Sequence, residues 1–258
     1  MIDPKAIVSP KACLGSDVQI GPFTVVEDDV VIGDGCKIGA SAYIANGARI
    51  GKNCTVHHGA VISNAPQDLK YAGERTILEV GDNTVIREYC TLHRGTAETG
   101  KTTIGSDCLL MANVHVAHDC VVGDHCILAN VASFAGHVTV GDWVTVGGLT
   151  PVHQFVKIGC HAMIGGGLRV PQDVPPYALA GREPLRFEGV NVIGLRRRGF
   201  SREQIESIQK VYRILYSSGL MFSEAVKKIE SELPPSPEAS IISEFVKASS
   251  RGIIRSAL

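Results

Sequence analysis

Residues 110–170 read LMANVHVAHDCVVGDHCILANVASFAGHVTVGDWVTVGGLTPVHQFVKIGCHAMIGGGLRV. A large apolar residue stands at Leu110 and at every sixth position after it: Val116, Val122, Leu128, Phe134, Val140, Val146, Val152, Ile158, Ile164 and Val170. A small residue often follows directly, as at Ala117, Gly123, Ala129, Ala135, Gly141, Gly147, Gly159 and Gly165. The register extends back through Ile104, Leu92, Ile86 and Val80, and again from Ile62 to Ile2. It fails only at Asp68, Glu74 and Glu98, and its phase is the same on both sides of those gaps. A fixed period this short is the mark of a hexapeptide solenoid, in which each unit supplies one short strand and one turn. The apolar residue is predicted to point inward. The small residue after it is expected to let the chain turn, with glycine tolerating positive φ there.

A second inward series lies two residues earlier and holds Cys36, Cys54, Cys90, Cys108, Cys120 and Cys126 among small and β-branched residues. Six of the eight cysteines therefore read as reduced packing residues of a narrow interior. Three hexapeptides per triangular coil would stack residues eighteen apart at about 4.8 Å. On that wheel His118, His137 and His153 fall within two positions of one another, so they should line one edge over three successive coils. His115 lies on the same coil as His118.

The chain has 258 residues, 45% of them hydrophobic, and a net charge of −1, which gives no global pull toward nucleic acid or membrane. Aromatics at 5% and 28 glycines suit a thin solenoid. No signal peptide and no apolar run of membrane-spanning length is visible, so the expected compartment is the cytoplasm. Residues 63–79 and 94–103 interrupt the repeat and should bulge outward as loops, a common place for binding residues on a rigid scaffold. His57 and His58 read as surface or groove residues. Residues 171–187 are proline-rich and read as a linker. Beyond them, Ser201 and Gln204 predict a capping box, followed by an apolar stripe from Ile205 to Leu215 and a stop at Gly219. Further helices are expected from Ser223 to about Leu233 and from about Pro237 to Ser250. The division is thus a β-helix over 1–187 and an α-helical domain over 188–258, whose helices cap the last coil. Arg196, Arg197 and Arg198 precede the first helix and suit phosphates or an acidic partner.

Imidazoles clustered on one edge suit proton transfer near neutral pH. Asp119 follows His118, and a carboxylate beside an imidazole fixes its tautomer and supports its cation. Gly136, before His137, leaves a backbone N–H open to a developing oxyanion. No serine or cysteine stands out as a nucleophile, which favours direct transfer without a covalent enzyme intermediate. Two rivals remain at this point. One is a zinc enzyme of the γ-class carbonic anhydrase type, with histidines shared across a subunit interface. The other is a structural solenoid without activity.

The segments QDLKYAGE (67–74), IRE (86–88), HRGT (93–96), HVAHDC (115–120), AGHV (135–138), VHQF (152–155), DVPPY (173–177), GVN (189–191) and GLRRRGF (194–200) occur in this order. Together they resemble the acyl-(acyl-carrier-protein)–UDP-N-acetylglucosamine O-acyltransferase family. The resemblance implies a mainly β protein: a left-handed parallel β-helix with a C-terminal α-helical domain. It also implies a homotrimer with active sites between subunits. The implied reaction moves an (R)-3-hydroxyacyl chain from acyl carrier protein to the 3-hydroxyl of UDP-N-acetylglucosamine, the first step of lipid A synthesis. The chain would arrive on the carrier's phosphopantetheine, with no resident cofactor, no metal and no nucleic acid.

By the same resemblance His118 matches the general base, Asp119 its tuning partner and Gly136 the oxyanion donor. Gln67, Asp68, Lys70, His115 and His137 match sugar and acyl contacts. His153 and Gln154 match positions near nucleotide and thioester, and Asn191, Arg197 and Arg198 match nucleotide-side or carrier-side contacts. Gly166 stands where the family's acyl-length ruler lies, with Met111 a neighbour able to shorten the channel. Ile193 replaces an acidic residue that the family often carries. The related N-acyltransferases carry an extra uridine-binding domain before the solenoid, and here the repeat starts at residue 2. Acetyl-CoA-dependent sugar acetyltransferases fit the His-x-x-His-Asp and Gln-Asp-Leu-Lys segments poorly.

Overall fold

Most hexapeptides of this chain form a strand of only two residues, such as His115–Val116 or Ile127–Leu128, before the backbone turns a corner. The computed structural model describes residues 1–256. Successive strands fall in turn on three faces, giving two parallel sheets of eight strands and one of ten. The repeated apolar residues fill the interior: Ile32, Ile62, Leu92, Leu110, Phe134 and Ile164 are all essentially inaccessible. The second inward series is buried too, and it contains the same six cysteines; Cys13 is exposed and Cys160 partly so.

The corners correct one expectation. From Asp107 to His161 every sixth residue has φ between 55° and 63°, and none of the ten is glycine: Asp107, Asn113, Asp119, His125, Val131, His137, Trp143, Leu149, Phe155 and His161. The left-handed position is therefore three residues after the inward apolar residue, not one. The glycines that directly follow the apolar residue serve a different need, close approach between coils. A Cβ on Gly141 would lie 2.7 Å from Cys160 N, and one on Gly123 would lie 2.8 Å from Asp142 N. Left-handed φ is costly for a β-branched residue such as Val131. Its recurrence at every corner from Asp107 to His161 marks it as a property of the scaffold.

Undisturbed coils pair residues eighteen apart, as in Ile7↔Val25 and His115↔Ser133. Across the two interruptions the pairs become Val61↔Thr91 and Thr91↔His115, thirty and twenty-four apart. The insertions are thus two hexapeptides and one, which is why the phase survives them. Both leave the barrel at the edge where His118 lies.

The stretch read as a linker is structured. Strand Ala178–Gly181 continues the ten-stranded face, and strand Arg186–Val190 folds back antiparallel on it. Val174, Tyr177, Leu185 and Phe187 are buried there. The β part therefore runs to Val190, and the expected boundary at 187/188 falls inside a strand. The arginine run does not precede the first helix; it closes a short one, α1 (Val192–Arg197), capped by the Asn191 side chain. Then come α2 (Arg202–Ser217) with the Ser201–Gln204 capping box, α3 (Phe222–Glu232) and α4 (Pro237–Ala248). Ile208, Val211 and Leu215 of α2 are buried, and its Tyr216 stacks on Phe187, so the helices close the last coil.

Candidate functional site

The two insertions and the edge between them form a cleft of about 720 Å³, lined by Gln67, Asp68, Lys70, Tyr71, Glu98, His118, His137, Gln154 and Phe155 among others. Each edge residue owes its position to the repeat. His137 and Phe155 occupy the left-handed corner of successive coils, and their rings stack at 4.6 Å. His118 meets His137 edge-on, with ring centres 5.2 Å apart. Gly136 lies over the His118 ring, and a Cβ there would come within 2.6 Å of Cε1. The glycine is thus required by the imidazole beneath it.

His118 Nδ1 lies 2.7 Å from Asp119 Oδ2. The Asp119 side chain is fully buried. Its Oδ1 accepts from Thr96 N at 3.0 Å and from the Thr99 hydroxyl, and its Oδ2 accepts from Thr96 Oγ1 at 2.8 Å. Burial by itself pushes this carboxyl's pKa up. The Thr99, His118 and Thr96 hydrogen bonds outweigh it and hold the group down at about 2. An ionised carboxylate only accepts, so His118 Nδ1 carries the hydrogen and Nε2 is the free nitrogen.

At the neighbouring edge the backbone N–H groups of Ser106 and Asp124 are capped by the aspartates of the next coil, Asp124 and Asp142. The equivalent position above Gly136 is Gln154, and among the described residues nothing caps the Gly136 N–H. A free donor beside a free imidazole nitrogen can hold an oxyanion while the imidazole takes a proton. Cys120 is no nucleophile here: its thiol points inward to Ala135 O, and burial pushes its pKa up to about 12.

His115 donates to or accepts from Thr91 Oγ1 at 2.7 Å and sits edge-on to His93. His153 lies on the same edge one coil beyond Ala135, as expected, but it is exposed, with Nδ1 near Gln154 O, and does not line the cleft. In the longer insertion Lys70 N bonds Asp68 Oδ1, which folds Asp68 and Lys70 into one tight turn.

The remaining candidates sit elsewhere on the chain. Gly166 is on the edge between the ten-stranded face and the face that bears His115. Asn191 bonds His161 O, Arg198 reaches His161 Nδ1 at 3.3 Å and covers Trp143, and Arg197 joins them in a separate groove on the third edge. Ile193 lines that groove and is 68% exposed, and no Asp or Glu is among the groove's described lining residues. One chain therefore distributes the candidate residues over three edges.

Sequence reasoning missed four residues. Thr96 and Thr99 hold Asp119. His93 is buried behind His115. Arg94 ties the longer insertion down, donating to Ser63 O at 2.9 Å and to Tyr71 Oη at 3.0 Å, while Tyr71 Oη donates to Glu74 O. For His93, Arg94 and Thr96 the signal in the sequence was the quoted segment HRGT; Thr99 lies beyond it.

Residues 173–254 match the family model described as domain 2 of UDP-N-acetylglucosamine O-acyltransferase, and residues 14–46, 29–64 and 101–132 match the bacterial transferase hexapeptide model. The chain is 55% identical over 252 residues to an acyl-(acyl-carrier-protein)–UDP-N-acetylglucosamine O-acyltransferase of Chlorobaculum parvum, covering 97% of this chain and 96% of that one. It is 52% identical to the protein of the same name in Paracidovorax citrulli, covering 97% of each. The crystal structure of a UDP-N-acetylglucosamine acyltransferase from Bacteroides fragilis superimposes with a TM-score of 0.97 at 49% identity, over 99% of this chain and 100% of that one. The architecture shared with such structures is the left-handed parallel β-helix.

Proposed function

The chain belongs to the acyl-(acyl-carrier-protein)–UDP-N-acetylglucosamine O-acyltransferase family, and from that premise we propose how its own residues carry the reaction. It is an acyltransferase of lipid A synthesis. In our reading the donor is an (R)-3-hydroxyacyl thioester on the phosphopantetheine of acyl carrier protein, and the acceptor is the 3-hydroxyl of UDP-N-acetylglucosamine. His118 Nε2 takes the hydroxyl proton as the sugar oxygen attacks the thioester carbon. The Gly136 N–H donates to the oxyanion. Collapse breaks the C–S bond, and the proton on His118 goes to the departing thiolate. Asp119 keeps Nδ1 protonated and supports the transient imidazolium. Asp68, Lys70, Gln67, His115 and His137 hold sugar and acyl groups. No enzyme-bound intermediate forms: among the described lining residues there is no serine or cysteine, and the Thr96 hydroxyl is engaged by Asp119.

The observation that carries this reading is the 2.7 Å His118–Asp119 contact with Nε2 left free under an uncapped N–H. The distribution of Gly166, Asn191, Arg197 and Arg198 over other edges supports a homotrimer in which a second copy completes each cleft. Ligand atoms of His118, Asp119 and His137 lie within 4.8 Å of one another, a spacing a metal could use. The Asp119 oxygens, however, are already filled by Thr96, Thr99 and His118, so we assign no metal and no resident cofactor. Among the described residues no helix is long and apolar enough to cross a membrane; we place the enzyme in the cytoplasm, where its carrier-bound donor would be met.

The test is incubation of the full chain with UDP-N-acetylglucosamine and a panel of (R)-3-hydroxyacyl carrier proteins, with products read by mass. The expected product is an O-acylated sugar nucleotide whose formation persists after chelator treatment. No product with any donor, or loss on chelation reversed by zinc, overturns the reading.

A further inference from the structure

We infer that the shorter insertion is a bracket for the catalytic base, with Thr96 and Thr99 as positioning residues that fix the Asp119 carboxylate and, through it, the ring of His118. The inference rests on the reading of His118 as the base. A carboxylate offers about four acceptor sites. Here two on Oδ1 are taken by Thr96 N and the Thr99 hydroxyl, and two on Oδ2 by Thr96 Oγ1 and His118 Nδ1. Rotation of the carboxylate about Cβ–Cγ would break three bonds to the insertion at once. The Asp119 backbone is held by the same segment, since its N–H donates to Thr102 Oγ1 at 2.8 Å.

The insertion reaches this position because Gly95 passes close to the strand that follows. A Cβ on Gly95 would come within 2.6 Å of the Lys101 backbone. The direction of each hydrogen bond is fixed as well. Thr96 Oγ1 accepts from Glu98 N at 3.3 Å and so has its one proton for Asp119. Thr99 Oγ1 lies within reach of both Asp119 and Lys101 O, and a carboxylate is the stronger acceptor. The bracket supplies three neutral donors and no cation. The carboxylate keeps its full charge for the imidazole, in one orientation.

The experiment measures kcat and KM for both substrates with the full chain carrying Thr96→Val, Thr96→Ser or Thr99→Val, each in the native and the Asp119→Ala background. Loss of a group that orients a reacting residue typically costs tenfold or more. Thr96→Val is expected to lower kcat about tenfold, with KM for UDP-N-acetylglucosamine changed less than about twofold, and Thr96→Ser to recover most of it. In the Asp119→Ala chain, Thr96→Val should change kcat less than about twofold, because the group it acts through is gone. Native kcat in Thr96→Val, or an equal loss without Asp119, overturns the inference and leaves the insertion as scaffold. If Thr96→Val fails to fold, the exposed Thr99 decides: about threefold loss supports the bracket, and native kcat overturns it. His118→Ala in the same assay separates the two claims. An inactive His118→Ala with a fully active Thr96→Val removes the bracket alone; an active His118→Ala removes the base and the bracket together.

Discussion

Asp29 and Asp119 occupy the same edge of the solenoid, one in the early coils and one above the insertions. Each is the residue two before a strand of the same sheet, Val31–Ile32 and Val121–Val122. Asp29 is tied to Arg49 at 2.6 Å and to Arg75 at 3.3 Å, and a third of its side chain is exposed. Asp119 is wholly buried, and its partners are hydroxyls, a peptide N–H and the His118 imidazole, with His137 Nε2 3.8 Å from Oδ2. Both carboxyls are held ionised, by different means. Guanidinium partners neutralise Asp29 and leave no charge for a third group. Neutral donors keep Asp119 anionic while leaving its field directed at His118. A repeat can thus hold a carboxylate at one address as a clasp or as a charge source, and the inserted segment decides which.

The largest expected effect tests the upper end of that comparison. His118→Ala should lower kcat by about 10³-fold, within the range for loss of a general base, with thermal unfolding little changed. Turnover near the native rate in a folded His118→Ala would remove the base. Asp119→Asn should cost about 10²-fold in kcat, because an amide can turn its NH₂ toward Nδ1 and favour the wrong tautomer. The paired change Asp29→Asn should leave kcat untouched and cost at most about 1 kcal/mol of stability, as for other partly exposed ion pairs. Equal kinetic losses at the two positions would mean that the edge acts through its backbone and that the two carboxylates do not differ in role.

The coil itself was legible because it repeats. One apolar residue every six, with unbroken phase, implied the inward column, and Phe134 and Leu128 lie fully buried on it. The phase could survive because the insertions are whole multiples of the unit. His118 and His137 came together as the wheel required. What could not be read is what does not repeat. The Thr96 and Thr99 bonds to Asp119 span 23 and 20 residues through an irregular turn, and no periodicity encodes them. Glycine does not mark the positive-φ position in these coils: Trp143 and His161 turn the chain and glycine makes room. The hairpin at 178–190 was hidden by Pro175 and Pro176 just before it and by Pro184 at its turn, although Leu185 and Phe187 are buried in it. Residues on separate edges gave no sign of how copies of the chain meet.

A smaller effect is expected where the insertions touch each other. Arg94 belongs to the shorter one and holds the longer one by its backbone and by Tyr71, which also lies within cation–π range of the guanidinium at 5.6 Å. Lysine donates from a single nitrogen and cannot span both partners as the guanidinium fork does. Arg94→Lys should loosen the turn that carries Asp68 and Lys70, and raise KM for UDP-N-acetylglucosamine about fivefold, the equivalent of about 1 kcal/mol for one net hydrogen bond. kcat should stay within about twofold. A fall in kcat at constant KM would instead tie Arg94 to the His118 side of the cleft and merge the two roles assigned to the insertions.

The smallest effect concerns stability against acid, where the upper coils should again differ from a solvated clasp. His93 is 4% exposed, its Nδ1 has no partner among the described residues, and His115 faces it edge-on. Burial, reinforced by the neighbouring His115, pushes its pKa down to about 4. The unfolded chain binds that proton near pH 6.5. Between these values the unfolded state holds more protons than the folded one, so stability rises with pH through the window and falls as pH drops from 6.5 toward 4. His161, pushed down to about 4 by burial and by Arg198, adds a slope of the same sign. Asp119 acts in a lower window: its contribution is complete above about pH 4 and is lost as pH falls toward 2. Thermal unfolding at half-unit steps from pH 7 to pH 4 should therefore show Tm declining, and His93→Gln should decline less steeply over the same range. Parallel curves for the two proteins would mean that His93 accepts its proton without opening the coil.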